Sequence, residues 1–420
     1  MLLKEESHNM RILHINTFDH AGGAARAAYW LHSGLRKKNI DSMMLVQHKT
    51  DGERAIVSKP GRMEILLKDI RWIFDGLPLL FYPKREVTHW STGCVPHRLK
   101  KFIKEINPDI IHLHWICRGH TSIAEIGRIC SLGCPVVWTL HDSWAFTGGC
   151  HVPGDCKQYQ TGCGQCPQLS SHRSNDLSSL TLGYKKKKWK KSNLVLTAPS
   201  KWLAECTKQS LLFANSHIVT IPNGIDTDVF SPVDKELARS VLRLSDSNKT
   251  KILCGAINAY GDPNKGFHLL QQAINSLVQD GWQEKIELII FGESESPATQ
   301  TLPVDTHYLG VLHDNETLRL AYSAADLFVI PSLQENLPNS ILESLACNTP
   351  VVAFNAGGIP DIIHHGENGY LAIPYDAVDL ANCIKQASTF THEVILNERF
   401  IQESSVNKYL SLYKDLIKKH

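Results

Sequence analysis

The stretch "DLFVIPSLQENLPNSILESLACNTPVVAF", residues 326–354, contains one predicted helix between two short apolar runs. The runs at 326–332 and 350–354 are typical of buried β-strands. Pro338 fits the first turn of a helix, because its ring fixes φ and it has no N–H to leave unpaired, and "NTP" at 348–350 predicts the helix end. A strand, a helix and a second strand in this order predict one unit of a parallel sheet.

Apolar runs of this kind alternate with helical patterns along the whole chain, in two successive sets. The first set comprises "RILHIN" (11–16), "MMLVQ" (43–47), "DIIHLHW" (109–115), "PVVWTL" (135–140), "LVLTAPS" (194–200) and "IVTIPN" (218–223). The second comprises "KILCGAI" (251–257), "IELIIFG" (286–292), "HYLG" (307–310), the two runs above and "GYLAI" (369–373). We therefore predict an α/β fold with two Rossmann-like, doubly wound domains that face each other across a cleft.

The predicted boundaries follow from the breaks in this pattern. The first domain is expected at 10–229 and the second at 250–395, with a linker at 230–249, because "NGIDTDVFSPVDKE" has neither helical nor strand periodicity. A last helix is expected from about Asn397 to Lys418, in the segment 396–420. Val406, Leu410, Tyr413 and Ile417 are spaced along one side of it and require a partner surface.

Composition limits the class of protein. The 420 residues are 43% hydrophobic and 20% charged, as in a folded soluble protein, and the net charge of +2 predicts no general attraction to nucleic acid. Neither a membrane-spanning run nor a secretory leader is apparent, so we expect a cytoplasmic protein. In that compartment, the twelve cysteines are expected to be thiols or metal ligands rather than disulfides.

The helix predicted from about Pro338 to Cys347 places Asn339 and Glu343 on one face, while Glu335 lies on the loop before it. A helix N-terminus presents unpaired N–H groups and a partial positive charge, which suit a phosphate. A nucleotide sugar would fit, with its diphosphate at the N-terminus, its ribose against Glu343 and its sugar against Glu335. A surface helix with two solvated carboxylates is the alternative.

Several motifs together resemble the GT-B retaining glycosyltransferases of family 4, and more narrowly the branch that acts in bacterial exopolysaccharide (colanic-acid-type) synthesis. The motifs are "GGAARAA", "TLHDSWAFTGGC", "IPNGIDTDVFSP", "NKGFHLL", "QENLPNSILESLACNTPVVAFNAGGIPDII" and "GENGYL". The resemblance covers nearly the whole chain in the expected order. It implies that the last helix crosses back onto the N-terminal domain.

The resemblance also implies roles for individual residues. His141 of "HDSW" lies over the reacting carbon of the sugar, and Gly22 and Gly23 lie beside the donor diphosphate. Lys265 neutralises the leaving diphosphate, commonly together with an arginine five residues earlier, where this sequence has Tyr260. The clamp on the diphosphate therefore either lacks one positive charge or takes it from another residue, for which Arg26 and Lys201 are the candidates.

Other interpretations of these residues are weaker. The Gly-Gly turn lacks the G-x-G-x-x-G spacing of a nicotinamide-dependent dehydrogenase. We interpret His112 and His114 as packing or cleft-lining residues rather than metal ligands, because no third ligand is evident nearby, and "DTD" at 226–228 as a turn. Glu335 could act as a covalent nucleophile, but the resemblance implies that it binds sugar hydroxyls.

The expected reaction is therefore transfer of a sugar from a UDP- or GDP-sugar to a saccharide acceptor that is lipid-linked, without a catalytic metal. A nucleotide-sugar-binding protein without turnover and a GT-B sugar-nucleotide epimerase are the alternatives. A loop at 150–166 carries Cys150, Cys156, Cys163 and Cys166, which predict a structural zinc site, with reduced thiols as the rival interpretation.

Two further segments predict attachment to a membrane surface. "YKKKKWKK" (184–191) combines dense positive charge with a tryptophan, and "RWIFDGLPLLFYPKR" (71–85) offers further aromatic side chains. Such segments suit an anionic surface, so we expect a peripheral position on the inner face of the cell membrane. A solvated helix face is the alternative for the lysines.

Overall fold

The computed structural model describes residues 10–50, 52–190, 192–255, 261–292 and 302–419. These form two compact units. The first unit extends to Gly224 and resumes at Gln402, and the second unit is Ile225–Ile401.

The first unit is built on a parallel seven-stranded sheet with strand order β3-β2-β1-β4-β5-β6-β7. Its central strands are buried on both faces by helices, which explains why they read as continuous apolar runs. Its elements up to residue 220 are β1 Arg11–Phe18, α1 Gly23–Lys37, β2 Asp41–His48, β3 Ile56–Val57, α2 Arg62–Leu67, α3 Arg71–Gly76, α4 Lys100–Ile106, β4 Ile110–Leu113, α5 Ile123–Ile129, β5 Val136–Thr139, α6 Leu177–Trp189, β6 Leu194–Ala198, α7 Lys201–Lys208 and β7 Ile218–Thr220.

The second unit repeats the arrangement with six parallel strands in the order β10-β9-β8-β11-β12-β13. Its elements are α8 Lys235–Val241, β8 Thr250–Gly255, α9 Phe267–Gln279, β9 Ile286–Phe291, β10 Thr306–Gly310, α10 Asn315–Ala324, β11 Leu327–Ile330, α11 Asn339–Ala346, β12 Val351–Phe354, β13 Gly369–Ala372 and α12 Ala377–Ala387. Each unit is thus a doubly wound, Rossmann-like domain, as predicted.

Short 3₁₀ turns complete both units. They are Leu77–Phe81, Gln158–Gln160, Pro167–Leu169, Pro263–Lys265, Gln283–Lys285, Ile359–Asp361 and Glu398–Phe400.

The last helix, α13 Gln402–Lys419, packs on the first unit, as predicted. The hydroxyl of Tyr413 lies 2.6 Å from Nδ1 of His112 in β4, and that of Tyr409 lies 2.8 Å from Oγ1 of Thr139 in β5. Gln402 donates to a backbone carbonyl of α1. The helix is therefore fastened to the sheet interior by buried hydrogen bonds as well as by apolar contacts.

Two details of the C-terminal prediction need correction. The helix begins at Gln402 rather than near 397, because 398–400 forms a separate 3₁₀ turn. Of the four residues expected on its buried side, Val406 and Tyr413 are buried, but Ile417 is 40% exposed.

The segment predicted as a linker, 230–249, lies inside the second unit. The carboxylate of Asp234 caps α8 by accepting from the backbone N–H of Leu237 at 2.9 Å, and the helix packs on α10. The guanidinium of Arg239 also donates to Asp326 at 2.9 Å. A seven-residue helix has too few apolar positions to show a periodic pattern, which is why the sequence did not reveal it.

Candidate functional site

The predicted donor-binding helix is α11, which begins directly after Pro338. Its first turn carries no acidic residue, and its N-cap makes no side-chain hydrogen bond. The N-terminal N–H groups of this helix are thus a suitable seat for an anion.

Two residues assigned to catalysis from the sequence are in direct contact. Nζ of Lys265 lies 2.7 Å from Oε1 of Glu335, on the loop before α11, and both side chains are partly buried. The negative charge of Glu335 raises the pKa of Lys265, although burial opposes the shift. The site therefore contains a protonated lysine whose positive charge is balanced by a carboxylate.

Two hydrogen bonds and one close backbone approach hold this lysine's turn against the loop that follows β11. Gly266 has φ of +66°, and a Cβ there would lie 1.9 Å from the carbonyl oxygen of Pro331. The side-chain amide of Asn264 donates to Gln334 O at 2.9 Å, and Leu333 N donates to Asn264 O at 2.8 Å. The sequence analysis did not assign roles to Asn264 and Gly266, although "NKG" carried the signal.

The loop with Glu335 is also held from the other side. Gly357 has φ of +60°, and a Cβ there would lie 2.1 Å from the carbonyl oxygen of Glu335. The backbone N–H of Gly358 donates to the same oxygen at 2.9 Å. The "AGG" of 356–358 therefore positions Glu335. The sequence analysis did not assign this role to 356–358.

Glu343 and Asn339 lie on one face of α11, as predicted, but both are buried. Glu343 is 1% exposed, and its Oε2 accepts from the hydroxyl of Tyr322 in α10 at 3.0 Å. The alternative of two solvated carboxylates is therefore wrong. Binding of ribose by Glu343 stays a prediction, and Tyr260 lies outside the described residues.

In the first unit, His141 lies just beyond the carboxyl end of β5, where ligands of doubly wound sheets bind. Burial lowers the pKa of His141 to about 4, although the charge of Asp142 opposes the shift, so the ring is neutral at pH 7. Its Nε2 lies 3.1 Å from Nδ1 of His114. A neutral imidazole can donate or accept a hydrogen bond toward a substrate hydroxyl.

Asp142 contacts the rings of His151 and Trp115. Its Oδ2 accepts from Nε1 of Trp115 at 2.6 Å and lies 2.6 Å from Nδ1 of His151, while Oδ1 accepts from Trp144 N at 2.8 Å. Burial alone would raise the pKa of Asp142, but His151 and these hydrogen bonds bring it below its ordinary value. Asp142 thus fixes the loop that follows the "HDSW" motif.

Gly22 ends the turn between β1 and α1, and Gly23 is the first residue of α1, so both glycines lie at the start of this helix. Gly22 is the N-cap of α1 with φ of +89°, which explains the glycine, and both residues are exposed. No acidic residue lies in the first turn of α1. The turn is therefore accessible to an anion, and contact with the donor diphosphate stays a prediction.

Two known sequence families match the two parts of the chain that contain these residues. Residues 21–229 match the family described as Glycosyltransferase Family 4, and residues 249–389 match the family described as Glycosyl transferases group 1. The chain is a glycosyltransferase of the GT-B type.

Individual relatives of this glycosyltransferase are distant. Sulfoquinovosyl transferase SQD2 of Arabidopsis thaliana is 27% identical over 345 residues, which cover 76% of this chain but only 59% of the plant protein. The putative colanic acid biosynthesis glycosyl transferase WcaC of Escherichia coli K12 is 24% identical over 84% of this chain and 85% of its own. The structure of Anabaena HepE in complex with UDP-glucose superimposes with a TM-score of 0.61 and 16% identity, covering 98% and 99% of the two chains.

The glycosyltransferase also contains the predicted cysteine loop, whose four cysteines are free and line one small cavity. Burial raises the pKa of both Cys150 and Cys163 to about 12. The backbone N–H of Gly148 hydrogen-bonds the thiol of Cys163, and those of Gln168 and Leu169 hydrogen-bond the thiol of Cys166. No three of these sulfurs lie within 4.8 Å of one another among the residues described, so a metal ion would require the thiols to rotate inward.

The lysine run is only partly a surface feature. Lys185 and Trp189 point into the first unit, at 0% and 6% exposure, so this tryptophan is not part of the predicted membrane-binding surface. Lys185 hydrogen-bonds the carbonyls of Trp144 and Thr147, and burial lowers its pKa to about 8. Leu182 is buried on the same helical face, and this i, i+3, i+7 spacing was the missed signal.

The second aromatic segment is exposed, as expected. Trp72 is 56% exposed, Phe74 46% and Phe81 86%. In the described part of the chain, no helix is both long and apolar enough to cross a membrane.

Proposed function

We propose that this enzyme transfers a sugar, with retention of configuration, from a UDP- or GDP-sugar to a lipid-linked saccharide in cell-surface polysaccharide synthesis. The observation that carries the proposal is the Lys265–Glu335 pair, 2.7 Å apart, on the loops that precede α9 and α11. WcaC, which is named for colanic acid biosynthesis, and HepE, which binds UDP-glucose, support the polysaccharide and the donor class.

The pair explains how charge is managed during the reaction. When the nucleoside diphosphate leaves, its C1–O bond breaks and negative charge develops on phosphate. Lys265 and the N–H groups of α11 stabilise this charge, and Glu335 exchanges its contact with the lysine for sugar hydroxyls. The acceptor hydroxyl attacks C1 from the leaving-group face, and its proton passes to a phosphate oxygen. The step balances within donor and acceptor, because the C1–O bond to phosphate breaks, the C1–O bond to the acceptor forms, and the leaving phosphate carries the proton.

Acceptor-dependent release of nucleoside diphosphate is the deciding experiment. A thermal-shift screen of UDP- and GDP-sugars identifies the donor, and release of UDP or GDP is then measured with and without saccharide acceptors. Release only with an acceptor is expected. Release without any acceptor would favour an epimerase, and a shift without release would favour a binding protein.

Substitutions test the pair itself. Removing a preorganised charge at a developing oxyanion costs about 10²–10³-fold in rate, so we expect that loss in kcat/KM for Lys265→Ala. The control is Lys385→Ala, which removes a lysine paired with Asp280 on the surface. Glu335→Gln keeps the shape of the side chain and removes its charge. Unchanged turnover of Glu335→Gln would exclude an essential role for that charge, including a nucleophilic one.

We further propose that the exposed aromatic side chains of segment 71–85, Trp72, Phe74 and Phe81, dock on an anionic membrane, where the lipid-linked acceptor resides. Exposed aromatic side chains favour the interface, and the exposed lysines of α6 add attraction to anionic lipids. Phe81→Ser should weaken sedimentation with anionic vesicles, whereas Val378→Ser, at another exposed apolar site, should not. Absence of binding, or binding insensitive to salt, would contradict electrostatic docking.

We also infer that the four loop cysteines bind one zinc ion. A tetrathiolate centre carries two net negative charges, and the N–H groups at Cys163 and Cys166 and the buried cation of Lys185 are suited to stabilise them. We expect about one zinc per chain in protein purified without chelator, lost in Cys163→Ser but kept in Cys94→Ser, which removes an exposed thiol elsewhere. Protein without zinc or iron would refute the inference.

A further inference from the structure

Three histidine rings form a hydrogen-bonded chain from the interior of the first sheet to its carboxyl edge. Nδ1 of His14, in β1, lies 2.9 Å from Nε2 of His114, which directly follows β4. Nδ1 of His114 lies 3.1 Å from Nε2 of His141, beyond β5. Because β1, β4 and β5 are consecutive neighbours in the sheet, the strand order itself creates the chain.

The hydrogen bonds between the three histidine rings must all run in the same direction. Burial lowers the pKa of His14 and His114 well below the ordinary histidine value and that of His141 to about 4, so all three rings are neutral at pH 7. A neutral imidazole has one N–H and one lone pair. If His114 accepts from His14, it must donate to His141, and if it donates to His14, it must accept from His141.

Nε2 of His14 distinguishes the two directions. This atom is buried and has no hydrogen-bond partner among the residues described. A buried N–H without an acceptor is more costly than an unused lone pair, and orphaned N–H groups are rare in native structures. The proton of His14 therefore belongs on Nδ1, from where it is donated to His114.

We propose that His14 and His114 are positioning residues that hold the proton of His141 on Nδ1. His141 then presents a hydrogen-bond donor to an oxygen of the substrate, while its Nε2 accepts from His114. The role at the substrate rests on the proposed function and on the position over the sugar that the family resemblance implies for His141. The tautomer itself does not.

A metal ion is the competing explanation for this cluster. Donor atoms of His14, His112 and His114 lie within 4.8 Å of one another, close enough for a shared ion. However, the ring nitrogens of His112 lie 2.6 Å from the hydroxyl of Tyr413 and 2.7 Å from that of Thr139. A shared ion would have to break at least one hydrogen bond of His112 and one of His114.

The test is long-range ¹H–¹⁵N NMR of the full-length protein with ¹⁵N-histidine, which distinguishes the two neutral tautomers, the charged ring and a metal-bound ring. The His141 signals are assigned by their loss in His141→Phe. We expect His141 and His14 to carry their protons on Nδ1 at pH 7.5. A proton on Nε2 of His141, a charged ring, or signals that change with chelator would overturn the proposal.

Variants separate positioning from support of the fold. In His114→Phe, His141 loses its donor and should shift toward the Nε2–H form, with kcat/KM lowered about tenfold, as for one lost hydrogen bond. His112→Gln also removes a buried ring of the same sheet but is not hydrogen-bonded to His141, so the tautomer of His141 should remain. A change of tautomer in both variants would indicate a general packing effect.

The two proposals fail differently. The expected tautomer in a protein without transfer activity would contradict the proposed function alone. Full activity with His141 protonated on Nε2 would contradict the positioning role alone.

Discussion

The two units share the strand order of a Rossmann-like domain but differ in how they bury polar groups. The first keeps neutral imidazoles, such as His14 and His112, inside its sheet. The second keeps an ion pair, in which Nζ of Lys251 in β8 lies 2.8 Å from Oε1 of Glu287 in β9, with both side chains at most 1% exposed. Similar topology therefore does not imply a similar response to acid.

The largest expected effect is a difference in the pH at which each unit loses stability. An unfolded histidine binds a proton near pH 6.5, whereas His14, His112, His114 and His120 have strongly lowered pKa values because they are buried. Their contribution is complete above pH 6.5 and is lost as pH falls below it, by on the order of several kcal/mol in total.

Glu287 loses its contribution to stability at a lower pH than the buried histidines do. Burial raises the pKa of Glu287, but the hydrogen bonds from Lys251, Ser245 and Ser247 together lower it by more than burial raises it. The pKa of Glu287 is therefore below its ordinary value. Its contribution is complete above about pH 4.3 and is lost only below that. Hydrogen–deuterium exchange, corrected for intrinsic pH effects, should show the first unit losing protection by pH 5.5 and the second unit retaining it. Simultaneous loss in both would contradict the comparison.

Breaking the buried pair should produce the next largest effect. Glu287→Gln leaves Lys251 buried without its counter-charge, and loss of one partner of such a pair costs about 3–5 kcal/mol. Chemical denaturation should show this loss at pH 7. The control is Glu284→Gln, since Glu284 pairs with Lys249 at 82% exposure and should leave the transition unchanged. Equal effects would show that burial of the pair is unimportant.

The smallest expected effect concerns the backbone around the catalytic lysine. Gly266 and Gly281 have φ of +66° and +76°, but only at Gly266 would a Cβ meet another atom within 4 Å, the carbonyl oxygen of Pro331. Gly281→Ala should cost about 1 kcal/mol from backbone strain alone. Gly266→Ala should cost about 2 kcal/mol or more and raise the KM for the donor. Identical losses would show that the close approach is unimportant.

The strands were predictable because each is a short apolar run between turn residues. The exception is β3, Ile56–Val57, a two-residue edge strand too short to give a pattern. The sequence also located Lys265, Glu335 and His141, since each follows or precedes a recognisable turn or strand end. The contacts that surround these three residues were harder to predict.

Contacts between distant segments could not be predicted from local patterns. The pairing of Lys265 with Glu335 joins loops 70 residues apart, and the contact of His14 with His114 requires the strand order. Buried Lys185 could not be recognised for a different reason: it lies within a run of lysines, which hides its helical spacing relative to Leu182 and Trp189.

The discontinuity of the first unit has an architectural consequence. The backbone N–H of Ile225 donates to Phe400 O at 2.8 Å, and Ile225 forms a parallel bridge with Ile401. The second unit is thus an insertion whose first and last residues are adjacent. Because its two ends lie next to each other, a segment of this kind can be inserted into a chain without separating the parts of the surrounding unit, which α13 completes.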